Sequence, residues 1–475
     1  MFIEQGSPYV HVGPIIAGLV SRSARSLTDY KRAGGGHVLR KAIEIGPASV
    51  IAALDQAKLR GRAGGGYPAS HKWWLVSRRE ESEKYFICNA NSMQPGGFKE
   101  QFLINSSPHT IIEACAIAAH TVGAPAAFIF LPSHFGRELE LLEASAAEWR
   151  ESGWLTDETC GRGFVDVIPL RSPGRYISGE ETALLEILEG RIGRPRGKPP
   201  LPTSKGAFGL PTVVNNLETV LNAYHILDVG PERYRQHGTV NSPGTLVFCL
   251  SGHVNRPGLY ELPLGTTLRS LIFEHGQGVK DGESLKAVFP GGISSPVASP
   301  DMLDLPLDFD SVREAGSDLG SGSVIVVADG TCMVDLAGRL AEFFSEASCG
   351  KCHPCSEGTR RTATMIARLD GIDEKNADQP QRQLPPSQRT RNLPVIMQPA
   401  GISYTDTASG LDKIAHLAEF YKYRGDCHLP QEAANSIQSL LAKFCSEFEH
   451  HRNNTTCDFN FASRREPIYA TTGTA

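Results

Sequence analysis

Short apolar runs alternate with helix-period stretches through the first half of the chain. KYFICNA (84–90), AAFIFL (126–131) and FVDVIPL (164–170) are continuous apolar runs of strand length, the habit of strands buried on both faces. SPHTIIEACAIAAHTVG and GEETALLEILEG carry apolar residues at helical spacing instead. Strands alternating with helices over 40–235 predict an α/β domain with a mostly parallel sheet covered on both faces. Between 240 and 330, GTLVFCLSGHV, GLYELPLGTTLRSLIFEHG, SLKAVFPGG and GSVIVVAD give a Gly-rich α+β pattern, read as a second, smaller domain. From 333 the period becomes helical throughout. Leu336, Leu340 and Phe343/Phe344 share one face, as do Leu411, Ile414, Leu417 and Tyr421. Ala433, Ile437, Leu440/Leu441, Phe444 and Phe448 form a third stripe, with Pro430 suited to a first helical turn. A small helical bundle follows. It is interrupted at 376–400 by NADQPQRQLPPSQRTRNLPVIMQPA, whose five prolines predict an irregular insertion. The expected boundaries are 1–236, 237–331 and 332–450, with a loose tail at 451–475.

Composition narrows the class. A 475-residue chain with 40% hydrophobic and 21% charged residues is that of an ordinary globular protein. A net charge of −5 argues against nucleic acid or an anionic membrane as partner. The N-terminus has no basic start followed by an apolar run, so no signal peptide is expected. The most apolar window, 110–132, contains Glu113, His120, Gly123 and Pro125, which predicts a buried helix and strand rather than a membrane span. The expectation is a cytoplasmic chain without a membrane span. Eleven cysteines in such a chain suggest metal or redox chemistry, not a disulfide framework. Scattered ones (Cys88, Cys115, Cys160, Cys249, Cys332, Cys445 and Cys457) are read as small buried apolar residues.

SEASCGKCHPCSEGTRR (345–361) is different. Cys349, Cys352 and Cys355 stand two residues apart, a spacing that lets a turning backbone aim three thiolates at one soft centre. A 4Fe-4S cluster takes such a run plus one remote cysteine; zinc favours two pairs or a Cys/His mixture, with His353 the available nitrogen. The best remote cysteine is Cys427, on a turn in YRGDCHLPQEAAN just before a bundle helix. Cys445 falls among Phe444 and Phe448 and is read as packing. A second candidate is the loop LRGRAGGGYPASHKWW (59–74), with Gly61, Gly64, Gly65 and Gly66 around Arg62 and Lys72 beyond. Glycines let backbone N–H groups approach a phosphate and a cation neutralise it. The loop is neither a Walker A nor a G-x-G-x-x-G motif.

YISGEETALLEILEGRIGRPRGKPPLP (176–202), GLPTVVNNLETVLNA (209–223) and SGHVNRPGLYELPLGTTLRSLI (251–272) complete an ordered set of five motifs. From about residue 30 to about 450 the chain resembles the flavin-binding, NADH-oxidising subunit of respiratory complex I and the related diaphorase subunits of NAD-linked hydrogenases and formate dehydrogenases. The resemblance implies a Rossmann-like FMN domain, a ubiquitin-like β-grasp domain of the soluble-ligand-binding type, and a helical bundle holding a 4Fe-4S cluster. It supports Cys427 as fourth ligand, since KFCSEFEHH ends the segment as the family's F-x-x-E-F-E helix does. It places the FMN phosphate on Gly61–Gly66 with Arg62 and Lys72, Asn89 at the flavin, and Gly179, Glu180 and Glu181 along the isoalloxazine where nicotinamide stacks. Asn215, Asn216 and Thr219 complete the pocket, and Asn91 borders it. Bound FMN accepts a hydride from NADH and releases electrons singly, so the protein supplies position and electrostatics. The implied partners are a thioredoxin-like 2Fe-2S subunit and a larger iron–sulfur subunit.

The chain also departs from the family. The usual N-A-D-E-x-E-P-G-T reads NANSMQPGGF here, so Asn91, Ser92 and Gln94 replace acids. On the adenine side Tyr67 is kept, whereas Leu75 and Leu201 stand where phenylalanine is usual. Ala63 replaces a glycine, which would crowd the loop if that position needed positive φ. Fewer carboxylates favour a more anionic ligand, since close carboxylates repel phosphate. Three readings follow: a diaphorase subunit using NADH or NADPH; a flavin and iron–sulfur subunit with a degenerate nicotinamide site that exchanges electrons with a protein; and a zinc-binding scaffold. Bland alternatives stand beside the site residues. Glu180 and Glu181 suit a helix start, Asn215 and Asn216 suit a cap, Trp73 and Trp74 suit a core, and GRIGRPRGKPP (190–200) suits a solvated loop or one facing a partner's acidic surface or a nucleotide phosphate.

Overall fold

The computed structural model describes residues 9–91, 93–155, 165–369 and 410–453. Ser92, Cys160, Cys457, the expected insertion at 376–400 and the tail beyond 453 lie outside them. The chain divides into two compact units, one running to Gly330 and one from Thr331.

The first unit contains two sheets. Strands β2 (Tyr85–Asn89), β3 (Ala126–Leu131), β4 (Asp166–Arg171) and β5 (Thr212–Asn216) form an all-parallel sheet in the order β4-β3-β2-β5. The apolar runs of the sequence are these strands. The helix Pro108–Val122 is buried along its whole length, which explains its near-continuous apolar character. Its ends follow local chemistry: Pro108 sits in the first turn and Gly123 closes it in the left-handed region at φ +78°. The chain steps from β2 outward to β3 and β4, then returns to the other side of β2 as β5. Such a reversal opens a crevice at the carboxyl ends of the two strands, where open α/β sheets bind ligands.

The second sheet is mixed. β6 (Thr245–Gly252) and β7 (Gly258–Pro263) form a hairpin, β9 (Ser323–Ala328) lies parallel to β6, and β8 (Leu285–Phe289) runs antiparallel to β9. This is the β-grasp pattern. Its edge comes from far away in sequence: β1 (Tyr9–His11) pairs parallel with β7, giving the order β1-β7-β6-β9-β8. The helix that follows, Pro14–Ser21, has its first N–H groups satisfied by Glu261 of β7, which accepts from Ile15 N at 2.9 Å and Ile16 N at 2.8 Å. The first residues thus join the second sheet rather than the domain expected over 1–236.

The second unit is helical: Met333–Ala347, His353–Leu369, Gly410–Tyr421, Leu429–Lys443 and Cys445–Asn453. The predicted stripes are its core, with Leu336, Leu340, Phe344, Ile414, Tyr421, Ile437 and Phe448 nearly inaccessible. Gly358 lets two helices meet, since a β-carbon there would lie 2.3 Å from the Tyr421 ring.

Candidate functional sites

The crevice between β2 and β5 gathers most of the predicted flavin residues. Asn89 and Asn216 are register partners at the strand ends. Asn89 Nδ2 donates to Gly179 O at 2.9 Å, and its Oδ1 accepts from Asn91 N at 3.0 Å. Asn216 caps the helix Leu217–Val229, accepting from Glu218 N at 2.9 Å, while its Nδ2 donates to Glu100 at 3.1 Å. The cap and the pocket wall are one residue in two roles. Asn215 turns to the core side and accepts from Trp73 Nε1 at 2.7 Å. Two buried polar atoms here have no protein partner: Nδ2 of Asn91, 7% exposed, and Oε2 of Glu100, 2% exposed. Asn91 also stands against Gly179, whose missing side chain keeps that approach open: a β-carbon would lie 3.1 Å from Asn91 O. Orphaned buried polar atoms beside such an approach fit a polar planar ligand such as a flavin.

The glycine loop sits beside this crevice as a tight turn. Gly61 N donates to Tyr67 O, and Arg60 and Pro68 form a bridge across the base. Gly64 and Gly66 take φ values of +120° and +57°, and the space beside Gly65 is open for 4 Å. Arg62 is the surprise. Its guanidinium is fully buried and donates to Tyr234 Oη at 2.8 Å, Pro243 O at 3.0 Å, Thr245 O at 3.1 Å and Arg60 O at 3.0 Å. Its backbone N–H donates to Thr219 at 2.9 Å. Arg62 and Thr219 therefore hold the loop from behind rather than offering a cation and a hydroxyl on its surface. A second buried cation supports them: Lys99 pairs with Glu218 at 2.6 Å, the side chains 2% and 0% exposed, and donates to Ser321 O. Burial disfavours a charged Lys99, but Glu218 outweighs it and holds the ammonium above its usual pKa.

Glu180 and Glu181 open the helix Glu181–Leu188. Glu180 is its cap, accepting from Thr182 N at 2.8 Å and Ala183 N at 2.9 Å. Lys198, from the basic stretch, reaches both acids at 2.8 Å, and Lys72 reaches Glu181 at 3.2 Å. Burial would raise the Glu181 carboxyl, yet the two lysines outweigh it and hold it below the usual carboxylate range. The result is a charge-balanced patch of two acids and two lysines. The sequence does not single out Lys198 from its basic stretch, because such loops are mostly solvated; here it pairs with both acids. Two more of the loop's cations are paired locally, Arg191 and Arg196 to Glu186 and Glu189, while Arg194 is exposed.

In the second unit the cysteine run begins a helix. Gly350 turns at φ +76° between Cys349 and Lys351, and Cys355 lies in the first turn of His353–Leu369. Asp426 N donates to Cys352 Sγ at 3.4 Å, and Lys351 pairs with Asp426 at 2.8 Å. These two contacts bring the loop of Cys427 against the run. Burial pushes the Cys355 thiol up to about 11 and Cys352 upward as well, so loading a soft metal centre here must displace protons. Among the described residues no group of three His, Cys, Asp or Glu side chains is arranged as for a lone metal ion. Four thiols on two facing loops fit a cubane, which separates its ligands with its own irons and sulfides.

Three family models match the chain: the Nuo51 FMN-binding domain over 54–225, the SLBB domain over 247–292, and the NADH-ubiquinone oxidoreductase-F iron-sulfur binding region over 335–384. An NADH-quinone oxidoreductase F subunit of Rhizobium meliloti is 41% identical over 436 residues, which is 91% of this chain and 96% of that one. The chain belongs to the family of NADH-quinone oxidoreductase F subunits. The F subunit of Aquifex aeolicus is 38% identical over 72% of this chain and 79% of its own length, and that of Streptomyces coelicolor 34% over 96% and 95%. Among solved structures, the NAD+-reducing [NiFe]-hydrogenase in its air-oxidized state aligns with a TM-score of 0.76 at 28% identity, covering 94% of this chain and 68% of that one.

Several departures of this F subunit from its family have a structural account. Ala63 is not among the non-glycine residues with positive φ, so its β-carbon brings no backbone strain. Gln94 donates to Gly291 O and Ser294 Oγ, both at 3.0 Å, and accepts from Ser321 Oγ at 3.1 Å. That residue ties the crevice loop to the β-grasp domain. Of the residues expected on the adenine side, Tyr67 and Leu201 are exposed by 46% and 53%. Trp74, expected in the core, is 49% exposed and stacks on His71, which stacks on Tyr67, at 6.0 and 5.7 Å between ring centres. Trp73 faces inward, because adjacent positions on a helix point about 100° apart. Cys445, expected to pack, is exposed at the start of Cys445–Asn453, while Cys88, Cys115, Cys249 and Cys332 are buried.

Proposed function

We propose that this chain is the electron-input subunit of a multi-subunit oxidoreductase. It binds FMN in the β2/β5 crevice and a 4Fe-4S cluster on Cys349, Cys352, Cys355 and Cys427, and oxidises NADH, with NADPH the competing reductant. Bound FMN supplies hydride acceptance with one-electron release, and the cluster carries single electrons. The chain's own residues do the rest. Gly64–Gly66 present backbone to the phosphate, held from behind by Arg62, Thr219 and Lys99. Asn89, Asn91 and Asn216 frame the ring system, and Glu180 and Glu181, fixed by Lys198 and Lys72, border the place where nicotinamide stacks. Tyr67 and Leu201 offer exposed surface to the adenine.

The observation that carries this reading is the crevice itself. Orphaned Asn91 Nδ2 and Glu100 Oε2 converge there with Asn89 and Asn216, at the switch point of a parallel sheet. We further propose a thioredoxin-like 2Fe-2S subunit and a larger iron–sulfur subunit as electron acceptors. The similar F proteins are named as subunits of NADH-quinone oxidoreductases, which supports onward carriers on partner chains. A cytoplasmic, membrane-peripheral location accompanies this; among the described residues no helix is long and apolar enough to cross a membrane. The test is anaerobic purification and an absorbance spectrum before and after NADH, then NADPH. Bleaching of the flavin band by either is expected. A flavin and cluster spectrum that ignores both overturns the nicotinamide assignment and favours a protein donor.

A further inference from the structure

Within the cysteine cradle one ion pair bridges the two ligand-bearing loops. Lys351 lies inside the run, between Cys349 and Cys352; Asp426 immediately precedes Cys427. Their side chains meet at 2.8 Å with 40% and 38% exposure. A pair this exposed contributes little to folding, so stability does not account for it. What sets it apart is position. Asp426 also donates its backbone N–H to Cys352 Sγ at 3.4 Å, so the residue that carries the charge fixes a ligand's sulfur too. The neighbouring charges are engaged elsewhere: Arg424 donates to Phe420 O at 2.6 Å and lies over the Phe420 ring at 4.0 Å, and His428 Nδ1 faces Gln431 at 3.4 Å.

We infer that Lys351 and Asp426 are positioning residues for the cluster, closing the Cys427 loop onto the Cys349–Cys355 loop and keeping the local charge near neutral. The inference rests on the reading that these four cysteines hold a 4Fe-4S cluster. Its physics is electrostatic: reduction adds one negative charge to the cluster, and net charge and hydrogen bonds to sulfur are the protein's levers on its potential. A lysine left alone favours the reduced cluster; an aspartate left alone favours the oxidised one.

The experiment uses the full chain, purified or reconstituted anaerobically, with iron per chain and an EPR-monitored redox titration as readouts. Lys351→Gln is expected to lower the cluster's midpoint potential and Asp426→Asn to raise it. The double variant should return close to wild type. Lys351→Arg and Asp426→Glu, which keep both charges, should hold wild-type iron and potential, and they carry the test if the neutral variants fail to retain a cluster. Shifts of the same sign in the two neutral variants, no shift in either, or loss of iron in the charge-conserving variants overturns the inference. A wild-type chain without a 4Fe-4S signal sinks the cluster reading instead, and flavin content is indifferent to both.

Discussion

The flavin crevice and the cysteine cradle are built on opposite plans. The crevice collects residues from four separate stretches (60–72, 89–91, 179–198 and 215–219), and nearly every one also serves the fold. Asn216 and Glu180 cap helices, Arg62 and Thr219 lock a turn, and Lys198 neutralises a helix start. The cradle takes three of its four thiols from seven consecutive residues. Where a site residue is also a structural residue, substitution damages both; where it is only a ligand, the fold should survive its loss.

That contrast is sharpest for the cysteines. Cys427→Ala should abolish the cubane signal while leaving flavin content and the flavin unit's unfolding transition unchanged, read by iron analysis and by absorbance of the same sample. Flavin loss in step with iron would break the comparison.

On the other side, Lys99→Met is expected to cost about 3–5 kcal/mol, since it strands the fully buried Glu218 carboxylate behind the glycine loop. Chemical denaturation followed by tryptophan fluorescence measures this, and Lys99→Met/Glu218→Gln should recover much of the loss. Flavin should be retained more weakly in step with stability. An unchanged midpoint would show that the buried pair does not support the loop.

The difference also sets what could be read from the residues alone. Strand runs, helix stripes and the cysteine spacing are local patterns, so β2, β3, the bundle faces and the cradle were legible. The direction of a side chain is not local. Arg62 looks like a phosphate ligand on a glycine loop; only the fold reveals Tyr234 and the carbonyls of Pro243 and Thr245 behind it. Trp73 and Trp74 are chemically alike and point to opposite environments. β1 joins a strand some 250 positions away, and nothing in YVH announces it.

A smaller effect tests the charge balance at Glu180 and Glu181. The Glu181 carboxyl is held below its ordinary value of 4.5 by Lys72 and Lys198 against the cost of burial. A depressed carboxyl stabilises the fold fully above its unfolded pKa, and this stabilisation is lost as pH falls through the folded value. Lys198→Met should therefore lower stability by ~1 kcal/mol at neutral pH, with the gap from wild type closing on acidification below about 4.5. Thermal midpoints measured across acid and neutral pH check the sign; a gap that widens on acidification refutes it.

The smallest change separates fold from nucleotide choice most cleanly. Gln94 uses its amide N–H groups on Gly291 O and Ser294 Oγ and its carbonyl on Ser321 Oγ. A carboxylate at this position cannot donate, so Gln94→Glu would set an acceptor against the Gly291 carbonyl, at a cost of about 1 kcal/mol. The hydrogen bonds of this side chain go to the β-grasp domain, so little effect on nucleotide choice is expected. Gln94→Glu is accordingly expected to lower the thermal midpoint slightly and leave the ratio of NADPH to NADH turnover within about twofold of wild type, a change of under ~0.5 kcal/mol in discrimination. Asn91→Asp, by contrast, places charge beside Gly179 inside the crevice and should move that ratio. If Gln94→Glu moves it as far as Asn91→Asp does, the crevice loop and the β-grasp contact act as one element, and the division between structural and ligand-facing positions in this loop fails.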